Sequence, residues 1–251
     1  VQEKQSLVQL PAALHSWVPE HKAPGLYFAP STHPMYRSLH LGLIVLFSLL
    51  APSALLAQMN EKGAVHLSIG LAGAGHATTY EQRILILGTW FTDTKEDGAA
   101  SVTVPIEVAY GFSRLFALGL YAEPGSYLDS SATESNGIVL VGLQPKFYLV
   151  NKDRFALLAG LQLGTTTLRI ERSEPLVNSD AKYSGAHFGI TTGVGFGLGD
   201  LLSLQFHLRY LATTLPLRTY ELNGSNVDLS GFDATLGTRG LGAQFSLGFR
   251  F

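Results

Sequence analysis

The segment from Gly240 to Phe251 alternates with a period of two: Leu241, Ala243, Phe245, Leu247, Phe249 and Phe251 fall on one face, and Gly242, Gln244, Ser246, Gly248 and Arg250 on the other. Successive side chains of extended backbone point to opposite faces, so this is the period of a β-strand. The pattern recurs from Gly63 onward. Strand one, near Ala64 to Gly73, sends Val65, Leu67, Ile69 and Leu71 one way and His66, Ser68, Gly70 and Ala72 the other. Strand two sets Val102, Val104, Ile106, Val108 and Tyr110 against Thr103, Glu107, Ala109 and Gly111, and strand three turns Phe116, Leu118, Leu120 and Ala122 outward. Strand four runs near Ile138 to Val150, strand five near Arg154 to Ile170, strand six near Tyr183 to Leu198, strand seven near Leu201 to Leu215, and strand eight is the final segment.

Tight turns at Phe112 to Arg114, at Asn151 to Asp153 and at Gly199 to Asp200 fall on one side of this arrangement, and the polar connections 76–101, 124–137, 171–183 and 216–238 on the other. Short turns at one end and long loops at the other are the asymmetry of outer-membrane barrels. The fold expected is therefore all-β: a closed, antiparallel, up-and-down transmembrane β-barrel of about eight strands, with short periplasmic turns and long external loops. Ten strands is the alternative, because the apolar run Ile84 to Phe91, and Thr219 to Leu222 with Val227 to Leu229 around Asn223-Gly224, could each add strands. The preferred reading makes both regions extensions above the membrane.

Orientation of the two faces separates this from a soluble barrel, which puts apolar residues inside. Here the apolar phase is nearly unbroken, while the opposite phase mixes glycine with Ser203, Thr191, Gln144, Gln205, Gln244, Glu107, Lys146, Arg209 and Arg250. Only 14% of residues are charged, against about a quarter in ordinary soluble domains, a shortfall that lipid contact would explain. Tyr110, Phe112, Phe116, Phe147, Phe155 and Phe251 gather near the turn end, where an interfacial aromatic girdle belongs. A formal charge of −2 and the lack of a basic cluster give no reason to expect nucleic acid, and without cysteine there are neither disulfides nor thiolate metal sites.

The one continuous apolar run, Leu41 to Leu50, follows Arg37 and precedes Pro52, Ser53, Ala54 and Ala57. It is too short for a spanning helix, which needs about 20 residues. It fits an export signal over 35–57, with Met35 as initiator, Ala57 before the cut and Gln58 as the new terminus. Residues 1–34 carry five prolines without an apolar period, and are read as an upstream extension that contributes no fold; residues 58–251 are read as the barrel.

The ending AQFSLGFRF, stopping on a phenylalanine, resembles the C-terminal insertion signal of bacterial outer-membrane β-barrel proteins. With the export signal and the strand pattern, the stretch from Gly63 to Phe251 is similar to small barrels such as the transmembrane domain of outer-membrane protein A and its relatives. The resemblance implies a bacterial outer-membrane location among its lipids and lipopolysaccharide, delivery by periplasmic chaperones and insertion by the barrel assembly machinery. Phe245, Leu247, Phe249 and Phe251 match the insertion signal. No peptidoglycan-binding domain is expected after the barrel, so the tethering role of larger relatives is not implied.

Motifs for chemistry are scarce. There is no nucleophile elbow, phosphate loop or His-Glu-x-x-His sequence, and no cofactor is expected. Gly193, Gly195, Gly197 and Gly199 recur within a strand with no helix after them, and are read as facing a crowded interior. His187 and His207 share the inward phase of neighbouring strands. Folding about Gly199-Asp200 sets His207 opposite Gly193, about 20 Å along the strand from His187, too far to share a metal ion. Glu107, Lys146 and Arg209 form an inward charge cluster, in which Glu107 would pair with Lys146 or Arg209 and plug the bore.

Two function classes follow: a non-enzymatic barrel with a structural, surface-binding or narrow-pore role, whose external ligand the sequence leaves open, or an enzyme acting on outer-leaflet lipid, similar in type to lipid A acylases and deacylases. The second needs a hydroxyl, a histidine and a carboxylate converging at the outer rim, where His76, Glu81, Ser126, Asp129, Ser130 and Ser184 lie.

Overall fold

The computed structural model describes residues 58–129, 136–174 and 177–251, with the backbone alone for 173–174. The export signal, its cut after Ala57, the upstream extension and Ser130 lie outside the described residues. Ten strands are present among those described: β1 (Val65–Ile86), β2 (Thr89–Thr103), β3 (Ile106–Ser113), β4 (Phe116–Asp129), β5 (Asn136–Asn151), β6 (Phe155–Glu174), β7 (Val177–Gly197), β8 (Leu202–Leu222), β9 (Ser225–Asn226) and β10 (Phe232–Arg250). Neighbours pair antiparallel, and β10 pairs with both β1 and β8, so the sheet closes on itself.

β2 and β3 are one stave. Both pair with β1 in a single register, Ala72 opposite Thr103 and Ile69 opposite Ile106, and both continue one register along β4. Pro105 interrupts the ladder because it has no N–H to donate. Its carbonyl still accepts from Gly70, at 2.9 Å. β9 is a two-residue rung beside the end of β8. The described barrel wall therefore has eight staves.

The strands are longer than the sequence periodicity indicates. Connection 76–101 is not a loop: β1 runs on to Ile86, turns through Leu87-Gly88 and returns as β2. Connection 171–183 is mostly the paired ends of β6 and β7, and 216–238 is the ends of β8 and β10 with β9 between them. Ile84 to Phe91 and Thr219 to Leu229 thus extend existing staves instead of adding new ones. Both hairpin apices have positive φ at their two central residues, Leu87 at 51° with Gly88 at 83° and Asn223 at 51° with Gly224 at 77°. That is the turn whose twist matches a two-residue hairpin.

The apolar phase faces outward. Leu71, Leu120, Leu241 and Phe245 are exposed at 59%, 66%, 73% and 53%, whereas their inward neighbours Ala72, Tyr121, Gln244 and Ser246 are buried. About 9–11 tilted residues cross a bilayer, so the 22-residue β1 crosses and stands well above it. At the turn end the rings form a contiguous outer girdle. Tyr110 meets Phe112 edge-on at 5.0 Å, Phe112 lies 5.9 Å from Phe116, and Phe116 5.2 Å from Phe147.

Candidate functional site

Among the described residues, buried side chains face the bore at successive levels. At the turn end the peptide before β1 folds back beneath it. Asn60, fully buried, donates through its side-chain amide to the Ser113 carbonyl (2.7 Å), and its side-chain oxygen lies 3.1 Å from His66 Nε2. Asn151 donates to the carbonyls of Asn60 (2.7 Å) and Arg114 (2.8 Å), lacing this cap to a tight turn. Arg250 donates to the carbonyls of Gln58 and, at 2.9 Å, of Asp200. Met59 packs on Tyr148, Ala156 and Leu158. This cap was not legible in the sequence, because its bonds go to turn carbonyls and leave no periodic trace.

Above the cap lie two buried ion pairs. Lys146 Nζ donates to Glu107 Oε2 at 2.6 Å. Gly119 makes room for that acid: a Cβ there would lie 3.0 Å from Glu107 Cδ and 3.1 Å from its Cγ. Arg209 does not join Glu107. It reaches from β8 to Glu123 on β4, four staves away, donating through Nη1 to both carboxylate oxygens (2.8 and 2.7 Å) and through Nη2 to Thr103 (3.3 Å). Gln162 donates to the same carboxylate at 3.3 Å. The sequence periodicity missed Glu123 because strand three was followed only to Ala122; two residues beyond Tyr121, it falls in the same inward phase.

Of the glycine string, an added Cβ at Gly193 would lie 3.0 Å from His207 Cγ, at Gly195 2.8 Å from Met59 Cε and at Gly197 3.2 Å from the Asp153 carbonyl, so these three do face crowded space. Gly199 does not: its surroundings are open and its φ of +142° serves the turn.

His207 sits opposite Gly193 and His187 opposite Thr213, so the two imidazoles lie on different rungs. His187 bonds Tyr121 from β4 and Thr166 from β6 (2.8 Å), while His207 Nε2 lies 3.2 Å from Gln205 Oε1. Farther toward the external end Tyr127, Ile138, Leu140, Leu168, Tyr183, Leu215 and Leu236 form one buried cluster with Tyr121 and Leu211, interleaved with buried Thr166, Thr213 and Thr238.

Among the described rim residues, Asp129 falls on the same rung as His76, since Ala99 stands opposite both, whereas Glu81 and Ser126 do not share that face. His76 is buried and its Nε2 lies 2.8 Å from Ser101 Oγ, a hydroxyl absent from the sequence-based set. Its Nδ1 has no hydrogen-bond partner among the described residues and faces Gly240, where a Cβ would lie 3.0 Å from His76 Cε1. Glu81 and Ser126 lie on the opposite faces of their strands from His76 and Tyr127. Ser184 Oγ contacts Thr167 Oγ1 at 3.4 Å, and Asp129 ends β4 opposite Ala99.

No protein-family model and no curated protein sequence matches the chain. Solved structures do. The outer membrane protein OprG from Pseudomonas aeruginosa is 14% identical, with 76% of this chain and 97% of that one covered and a TM-score of 0.50. Neisserial surface protein A is 13% identical over 73% and 98%, at 0.42. Ail, the attachment invasion locus protein of Yersinia pestis, is 16% identical over 76% and 99%, at 0.37. The closed eight-stave wall, its apolar outer belt and the match to OprG identify the fold of the small bacterial outer-membrane β-barrel proteins.

Proposed function

We propose that this chain is an exported, integral outer-membrane barrel without enzymatic activity, closed to solutes, whose role is to hold its tall external hairpins at the cell surface for binding. The observation that supports the reading is Arg209 reaching Glu123 on the stave opposite, with Thr103 and Gln162 bonded to the same two side chains. The cap at the turn end and the apolar cluster at the external end lie in series with it. On this reading lipopolysaccharide and lipid surround the belt, and chaperones and the assembly machinery read the outward face Phe245, Leu247, Phe249 and Phe251 after cleavage between Ala57 and Gln58.

Planar bilayers test the closed bore and lipid A mass spectra test the absence of enzymatic activity. The wild-type protein is expected to pass no steady current, and cells with and without it to have the same lipid A acyl pattern. A stable single-channel current overturns the closed bore, and an altered acyl pattern overturns the non-enzymatic role.

A further inference from the structure

The tip of the β1–β2 hairpin is apolar on both faces. Ile84 pairs with Phe91 and Leu85 with Trp90, Ile86 stands above them, and Leu87 caps the turn. Their exposures run from 39% for Ile84 and Leu85 to 101% for Leu87, and the Arg83 guanidinium lies 5.1 Å from the Trp90 ring centre. Below the tip the hairpin turns polar, with Glu81, Asp93, Thr94, Lys95, Glu96 and Asp97. Leu87 lies sixteen residues beyond Leu71 in the belt, roughly 50 Å along the strand, so the tip is far from the protein's own bilayer.

We infer that this tip inserts into a zwitterionic lipid surface facing the cell. The inference rests on the reading of the barrel as a surface-binding protein and names the partner. A protein groove would cover one face of a hairpin, whereas a bilayer interface surrounds both. Six large side chains are far fewer than the roughly 20–30 residues each partner brings to a standard protein interface. They suit lipid partitioning, where affinity grows with each apolar side chain removed from water. The apolar rungs, 84–91 and its turn, extend about 10 Å, the depth of the headgroup and acyl boundary. Trp90 stacked under Arg83 belongs at that boundary, with an apolar ring and a cation beside it. Charge selects the lipid: four carboxylates against two cations on the hairpin from Glu81 to Asp97 disfavour an anionic surface.

The chain has two tryptophans, Trp17 and Trp90, and cleavage after Ala57 removes Trp17, so Trp90 is the sole reporter of the processed protein. The processed protein, residues 58–251 folded in nanodiscs, is mixed with phosphatidylcholine vesicles, some carrying brominated lipid. Trp90 emission is expected to shift to the blue and to be quenched by the brominated lipid, with little dependence on salt. Leu87→Asp and Phe91→Ser, checked as folded by their gel mobility before and after boiling, should each lower vesicle affinity about tenfold or more. No spectral shift, equal binding by both variants, binding only to phosphatidylglycerol vesicles, or a concentration-dependent shift without vesicles each overturns the inference. The same preparation in planar bilayers reads the closed bore separately, so a silent bore without vesicle binding rejects the lipid partner alone.

Discussion

Arg209 and Glu123 face each other from opposite staves, and what each would cost alone decides how firmly those staves are tied across the bore. Both side chains are buried, at 2% and 1% exposure, and the acid accepts two bonds from one guanidinium nitrogen. A buried pair contributes little beyond an apolar pair of the same size, but stranding one charge costs about 3–5 kcal/mol. Glu123→Gln alone and Arg209→Met alone are therefore each expected to destabilise the folded barrel by about that much, and the double variant by much less than their sum. Urea titrations in lipid vesicles, with intrinsic fluorescence as the probe, measure the cycle. Additive losses would show that the two side chains act independently despite their contact.

At the scale of the strand, period two is legible only where the two faces meet different solvents. Within the belt one face touches lipid and the other the bore, so Val65 to Ala72 and Leu241 to Ser246 alternate sharply and their phase could be read directly. Above the belt both faces of a hairpin meet water, and residues 89–100 of β2 are exposed almost without break, so the signal fades although the ladder continues. Asn223-Gly224 is a recognisable turn pair, but Leu87 at φ 51° is not, since a leucine rarely occupies that region.

In these wet extensions polar pairs replace apolar alternation. Arg169 on β6 donates through Nε to both oxygens of Asp180 on β7, at 3.1 and 2.9 Å, and through Nη2 to one of them. The hydrogen bond from Arg169, with its charge, holds the Asp180 carboxyl below its usual value of 3.8. A lowered folded value means that the pair stabilises the hairpin at all pH above about 3.8. That contribution is lost as pH falls below 3.8 through the lowered value. It is small and weakened by salt, because the pair is exposed. An NMR titration of the Asp180 carboxyl carbon should give a midpoint below 3.8 in the wild type and close to it in Arg169→Gln. An unchanged midpoint would separate the shift from Arg169.

Over the whole molecule, a bore closed as proposed has its barriers in series, so removing one leaves the others. Counted from the tight turns, the cap of Met59 and Asn60 comes first. The Glu107–Lys146 pair and the Arg209–Glu123 crossing follow, and the apolar cluster around Leu140, Leu168 and Leu215 stands above them. A charged rung resists ions by its pairing; an apolar constriction resists them because water leaves it. Glu107→Ala alone, and Glu107→Ala combined with Arg209→Ala, are therefore expected to stay silent in planar bilayers, since the cap and the apolar cluster remain. Adding Leu168→Ala and Leu215→Ala, which open the cluster, together with Asn60→Ala, which frees the cap, should produce a fluctuating current. Gel mobility before and after boiling checks that each variant is folded. A steady current from Glu107→Ala by itself would make the lowest ion pair the gate, and the remaining layers would then be permeable as they stand.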